Sequence, residues 1–192
     1  ILPVIIAEKK RAKDTVRIWS AGCATGEEAY SLAILIRTIK ESQAGFPTID
    51  ILATDIDPVA LDTARKGAFR KVFLDSPLDE AIHNYFTDED QVIVARQELK
   101  EIIRFHEHDL TNTTAVQQAR LLSPEPFDLI ICRNVLVYLK RAAQAGILER
   151  LCALLRPGGF LVLGTGEIPP KFMEAELQPV NSKVRIYQRT AV

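Results

Sequence analysis

The chain is organised by an alternation: short apolar segments of strand length, each followed by a polar loop and then by a stretch whose apolar residues recur at helical spacing. That rhythm predicts a mostly parallel sheet, because strands that run the same way need a crossover between them, usually a helix. Val16 to Ala21 (VRIWSA), Ile49 to Thr54 (IDILAT), Phe127 to Cys132 (FDLIIC) and Phe160 to Gly164 read as buried strands, and Lys183 to Arg189 as a last, alternating one. Between them, Tyr30, Ala33, Ile34 and Arg37 with the offset Leu32, Leu35, Ile36 and Ile39 mark one helix. Asp57-Pro58 caps and opens a second, which Gly67 stops. Ile147, Leu148, Leu151, Leu154 and Leu155 mark a third, ended by Arg156-Pro157-Gly158-Gly159.

Residues 70–109 break this rhythm. Ser76-Pro77 with Asp79 resembles a capping box opening a short helix through Tyr85-Phe86, and Gln91 to Ala95 and Leu99 to Phe105 read as two short strands. The expectation is an inserted helix and β-hairpin, the second strand able to run on into the main sheet.

At 192 residues the chain has room for one domain with such an insert. The 24 basic and 25 acidic residues nearly cancel, so there is no global basic field to advertise a nucleic-acid or anionic-lipid partner. Three cysteines (Cys23, Cys132, Cys152) without a CxxC pair suggest neither a disulfide framework nor a zinc site, and fit a reducing cytoplasm. The longest apolar runs, Ile1 to Ala7 and Leu129 to Cys132, fall far short of the roughly 20 residues that span a bilayer. Beginning at Ile1 without a signal-peptide layout, the chain reads as part of a longer protein.

In an open α/β sheet, ligands sit beyond the carboxyl ends of the strands, so the residues just after each strand carry the functional signal. After the first comes Ala21-Gly22-Cys23-Ala24-Thr25-Gly26-Glu27-Glu28, where the glycines let a ligand approach the backbone. It is neither a GxGxxG fingerprint nor a P-loop, and Glu27 and Glu28 at a helix start would repel phosphate. They suit a ligand bearing a positive charge or free amine, or else simply complement the helix dipole. Asp55, 29 residues beyond Gly26, stands where an acidic side chain accepts hydrogen bonds from ribose hydroxyls, whereas Asp57 is explained as a helix cap. Asp109-Leu110 offers an acceptor to an adenine amine and an apolar contact to its ring, although a turn-forming Asp reads equally well there. Arg133, Asn134 and Tyr138 follow the FDLIIC strand at a cleft mouth. Together these loops outline a nucleoside pocket beside a site for a cation, two features that S-adenosylmethionine combines.

The same residues resemble the CheR family of chemotaxis receptor methyltransferases. RIWSAGCATGEEAYSLAI, LATDIDPVALDTARKGAF, the NYF of the insert, QELKEIIRFHEHDL, PFDLIICRNVLVYL and LLRPGGFLVLGTGE match its blocks in order across about residues 17–167. The resemblance implies a class I methyltransferase (Rossmann-like) α/β fold over residues 1–192, with helices on both faces of the sheet and the small β-subdomain at 70–109. It implies S-adenosylmethionine as cofactor and S-adenosylhomocysteine as product. Ala21, Gly22, Glu28, Asp55, Ile56, Asp109, Leu110, Arg133 and Asn134 would contact the cofactor, and Arg133 and Tyr138 would stand at the transfer centre. The acceptors it implies are glutamates on the cytoplasmic domain of a membrane chemoreceptor, docked through residues 70–109, in a cytoplasmic protein with no membrane insertion and no nucleic-acid partner. Three features depart from the family pattern: Ala29 for the usual proline, Asp109 for asparagine, and Thr165-Gly166-Glu167 for His-Ser-Glu. The N-terminal helical domain and its arginine-containing motif, which precede this block in the family, lie outside this sequence.

Methyl transfer from a sulfonium to a carboxylate is an in-line displacement in which opposite charges annihilate. A glutamate is already ionised at neutral pH, so the reaction needs alignment and a dry cleft rather than a base, a metal or a cysteine nucleophile. Two other readings share the fold: a class I methyltransferase for another acceptor, and a non-catalytic module that binds the cofactor or its product and signals by conformation.

Overall fold

The structure is a computed structural model that describes residues 1–41, 45–70 and 83–190. Its main sheet has seven strands in the order β6-β2-β1-β7-β8-β10-β9. These are β1 (Val16–Ala21), β2 (Ile49–Asp55), β6 (Ile103–Glu107), β7 (Phe127–Cys132), β8 (Leu155–Leu163), β9 (Leu177–Asn181) and β10 (Ile186–Arg189). The five from β6 to β8 are parallel, whereas β10 runs antiparallel to both β8 and β9. Through the five parallel strands chain order runs outward from β1 in both directions, so the topological switch point lies between β1 and β7.

Side chains alternate across the sheet and both faces are buried. Ile18, Ile51, Ala53, Leu129, Ile131 and Phe160 face α1 (Leu2–Ala12), α2 (Glu27–Glu41) and α3 (Pro58–Lys66). Trp19, Leu52, Ile130, Cys132, Leu161 and Leu163 face α5 (Ala115–Leu122) and α6 (Arg141–Leu154). This two-sided burial is why FDLIIC is apolar nearly throughout instead of alternating. Its one charge, Asp128, is fully buried and takes the Arg17 amide, the Lys9 ammonium at 3.1 Å and the Arg156 guanidinium at 2.6 Å. Because Lys9 lies on α1, the same network fastens that helix to the sheet at the end opposite the switch point.

Residues 70–109 differ from the hairpin expected. The small sheet is three-stranded and antiparallel, in the order β3 (Ala68–Arg70), β5 (Val92–Ala95), β4 (Phe86–Glu89), so it begins before residue 70 and uses Phe86 as a strand residue. The predicted second strand, Leu99 to Phe105, is divided: Gln97–Lys100 is a short helix, α4, and Ile103–Glu107 is β6 of the main sheet, paired with β2. The predicted helix from Ser76 falls mostly on residues 71–82, outside the described residues; His83 to Tyr85 are helical. Tyr30 of α2 joins the two sheets, its ring against Phe69, Phe86 and Phe105 and its hydroxyl donating to the Ala64 carbonyl.

Two smaller boundaries also shift. Leu155 starts β8 and does not end the preceding helix; the periodicity misplaced it because a buried leucine suits either element. The last strand starts at Ile186, since Lys183 to Arg185 form the turn from β9, with Arg185 at φ 54°.

Candidate active site

The loops after β6, β2, β1 and β7 stand side by side at the carboxyl edge of the sheet, and backbone hydrogen bonds knit them together. The Gly22 and Cys23 amides both donate to the Thr54 carbonyl, at 2.8 and 2.9 Å, and the His108 amide donates to the Asp55 carbonyl at 2.9 Å. Gly22 has φ +84°, and a Cβ there would lie 2.3 Å from Cγ2 of Val135. A glycine is therefore required where the β1 loop meets the β7 loop, at the switch point itself.

Asp55 spans two of these loops. One carboxylate oxygen accepts from the Ala24 amide at 2.7 Å and the other from the Asp57 amide at 3.0 Å, which leaves a lone pair on each oxygen for further donors. Asp57 accepts from the Val59 amide and is the helix cap expected of it. Ile56, 61% exposed, presents an apolar side chain beside Asp55. Asp109 is engaged in its own turn: one carboxylate oxygen accepts from the amide and hydroxyl of Thr111, at 2.8 and 2.6 Å, and these bonds hold its carboxyl below the ordinary range. The turn-forming reading of Asp109 is thus realised, and its second oxygen accepts no hydrogen bond among the described residues. Leu110 is buried in the cluster around Trp19, so its side chain forms floor and not cleft wall.

Beyond β7, Arg133, Asn134 and Tyr138 share one loop, which includes a 3-10 turn at Leu136–Tyr138. The Arg133 guanidinium lies 3.6 Å from the carboxylate of Glu28 and half its side chain is exposed. Glu28 also accepts from the Ser20 hydroxyl at 2.9 Å; burial pushes its carboxyl up, while Ser20 and Arg133 pull it partly back. A partly desolvated carboxylate in this position gains from an added cation. Tyr138 is 84% exposed and reaches into solvent. The cysteines are closed to nucleophilic chemistry: burial raises the Cys23 thiol to about 12 and the Cys152 thiol to about 11, and raises Cys132 further.

One residue carries more of the site than its sequence suggests. Glu167, 4% exposed, accepts from the amides of Asn134, Val135, Leu136 and Val137 and from that of Gly164. Its signal in the sequence is its place at the end of the LLRPGGFLVLGTGE block, where it keeps the Glu of the family's His-Ser-Glu; nothing local shows that this carboxylate binds a loop some 30 residues away.

The residues fit S-adenosylmethionine. Asp55 retains acceptor capacity for hydroxyls, Ile56 offers apolar surface, Gly22 leaves the backbone bare, and Glu28 suits a positive charge. Among the described residues no group of three or more His, Cys, Asp or Glu gathers as a metal site.

The chain is similar to several known proteins over most of its length. A chemotaxis protein methyltransferase of Vibrio cholerae is 31% identical over 87% of this chain, and one of Salmonella typhimurium 32% over 86%. A 104.1 kDa uncharacterised protein of Rhodobacter capsulatus is 34% identical over 91%. The chain spans 58% and 56% of the two chemotaxis proteins and 17% of the third. Among solved structures, the glycopeptide N-methyltransferase MtfA aligns with 82% of this chain and 53% of its own, at 11% identity and a TM-score of 0.47. The family described as "CheR methyltransferase, SAM binding domain" matches residues 1–186, and with that match the chain belongs to the CheR methyltransferase family, its cofactor S-adenosylmethionine.

Proposed function

We propose that this domain transfers the methyl group of S-adenosylmethionine to glutamate carboxylates on the cytoplasmic segment of a chemoreceptor. The observation that carries this reading is the half-exposed Arg133 guanidinium beside Glu28 at the cleft mouth: a fork of donors able to hold a second carboxylate. The names of the relatives, chemotaxis protein methyltransferases, support it. When bound, the cofactor supplies a methyl activated by its sulfonium.

The chain's own residues then orient and exclude. Glu28 draws the positive end of the cofactor toward the β1–β7 junction, and Asp55 accepts from its hydroxyls. Arg133 holds the acceptor carboxylate in line with the methyl, and the exposed Tyr138 donates a hydrogen bond near it. No base is needed, since the acceptor arrives ionised, and these residues would hold it and the cofactor's methyl aligned in a dry cleft. The three-stranded β3-β5-β4 sheet and its flanking residues are the receptor-docking element in this reading, and the protein works in the cytoplasm.

Incubating the protein with methyl-labelled S-adenosylmethionine and a receptor cytoplasmic fragment tests it. Methyl esters that mild alkali releases as methanol are expected; an alkali-stable product contradicts the assignment. The departures from the family pattern at Ala29, Asp109 and Thr165 support, as a second reading, a non-catalytic module that binds the cofactor without turning over. Tight binding of S-adenosylhomocysteine with no ester formed on any receptor fragment would select it.

A further inference from the structure

Glu167 belongs to none of the ligand-facing residues above, yet its carboxylate is the point on which the β7 loop converges. One oxygen accepts from the Val135, Leu136 and Val137 amides at 3.0, 2.7 and 3.3 Å, and the other from the Asn134 and Gly164 amides at 3.2 and 2.6 Å. Successive amides pointing at one concavity form an anion nest, and here the anion is a side chain of the same protein. The space around it is closed: a Cβ on Gly164 would lie 2.6 Å from Oδ1 of Asn134 and 2.7 Å from Oε2 of Glu167. Asn134 is held at φ 57°, a left-handed conformation that costs free energy unless its surroundings fix it.

We infer that Glu167 is the positioning residue of the active site, its carboxylate setting the backbone from Asn134 to Val137 and hence the placement of Arg133, Asn134 and Tyr138 toward cofactor and acceptor. Emptying the nest would leave up to five amides seeking other partners and free Asn134 to leave the left-handed region. The inference rests on reading the strand-end cleft as the S-adenosylmethionine site, and deepens that reading by naming what preorganises it.

The test replaces Glu167 with Gln, nearly the same shape but with an amide nitrogen that cannot accept. Two quantities are measured on the whole chain: S-adenosylhomocysteine affinity by calorimetry, and residue-resolved amide exchange. Glu167→Gln is expected to weaken affinity about tenfold or more. Exchange should speed at Val135, Leu136, Val137 and Gly164 while the Gly22 and Cys23 amides on the β1–β2 side stay protected. Gly164→Ala, which crowds the same carboxylate and Asn134 beside it without altering charge, serves if the Gln variant does not fold, with faster exchange at Leu136 and Val137, which the added Cβ does not touch, as the sign that the carboxylate has moved. Unchanged affinity despite lost loop protection would overturn the inference, as would protection lost across the whole sheet, which would mark Glu167 as a global structural residue. Failure of the wild-type chain to bind would instead refute the cofactor site; loop exchange would still report whether Glu167 holds the loop.

Discussion

Gly22→Ala is the substitution whose cost the structure specifies most fully. Two contributions act. The new Cβ would stand 2.3 Å from Cγ2 of Val135, so the β1 and β7 loops must part, an overpacking cost of about 1–3 kcal/mol. Alanine at φ +84° adds roughly 1–2 kcal/mol of left-handed backbone strain. The expected loss of stability is therefore about 2–5 kcal/mol. The two contributions separate in a double-mutant cycle with Val135→Ala, because removing the γ-methyls relieves the clash and leaves the strain; Cβ of Val135 lies an ordinary 3.5 Å from the added atom. Val135→Ala alone should cost about 1 kcal/mol for two partly buried methyls. In the Gly22→Ala background the relieved clash of about 1–3 kcal/mol offsets that cost, for a net recovery of about 0–2 kcal/mol, so the coupling of about 1–3 kcal/mol lies outside the roughly 0.5 kcal/mol within which independent sites add. Denaturant unfolding of the four proteins measures the cycle, and S-adenosylhomocysteine affinity should follow the same order. Strict additivity, or a Gly22→Ala variant as stable as the wild type, would refute the idea that these loops meet at the switch point.

Asp55→Ala removes two loop-fastening bonds and an acceptor for the cofactor's hydroxyls; losing a charged hydrogen bond of about 1.5–3 kcal/mol predicts S-adenosylhomocysteine binding some 10- to 150-fold weaker, and calorimetry showing no change would sink the assignment. Glu28 has a raised pKa from burial, so its proton is held more tightly folded than unfolded. Its stability contribution is present below the ordinary glutamate range and is lost as pH rises through the raised value. Binding of a cationic ligand has the opposite dependence: affinity should fall on acidification through that raised value, and Glu28→Gln should flatten the profile, which isothermal titration across pH would show. Arg133→Ala, measured by receptor methylation in the full-length protein, should lower turnover far more than cofactor affinity; equal losses would make Arg133 a cofactor-binding residue and not an acceptor clamp.

The parallel core was legible because both of its faces are buried, which writes strand-length apolar runs between helical periods, and the Asp57-Pro58 and Gly67 boundaries of α3 were legible because caps are local chemistry. Leu99 to Phe105 misled because one continuous apolar pattern serves a buried helical turn and then a sheet strand, and the backbone changes element between Lys100 and Ile103. The helix α1 went unread: no side chain caps its start at Ile1, and it is held from a distance, by Ile5 and Ile6 buried in the core and by Lys9 paired with Asp128. In the candidate site, the residues that gather at the carboxyl ends of adjacent strands were legible from their position after those strands. Those that hold other residues in place were not. Glu167 acts through amides 30 to 33 residues away, and the bonds of Asp109 to Thr111 show a side chain spending on its own turn one of the oxygens a ligand would use.

Four adjacent strand ends together would form one S-adenosylmethionine site. Titration of the isotope-labelled chain with S-adenosylhomocysteine, followed by amide chemical shifts, tests it most directly. The predicted result is saturable one-to-one binding whose largest shifts fall at Gly22 to Ala24, Asp55-Ile56, Asp109-Leu110 and Arg133-Asn134 together. No binding, or shifts confined to a region away from these loops, would contradict it.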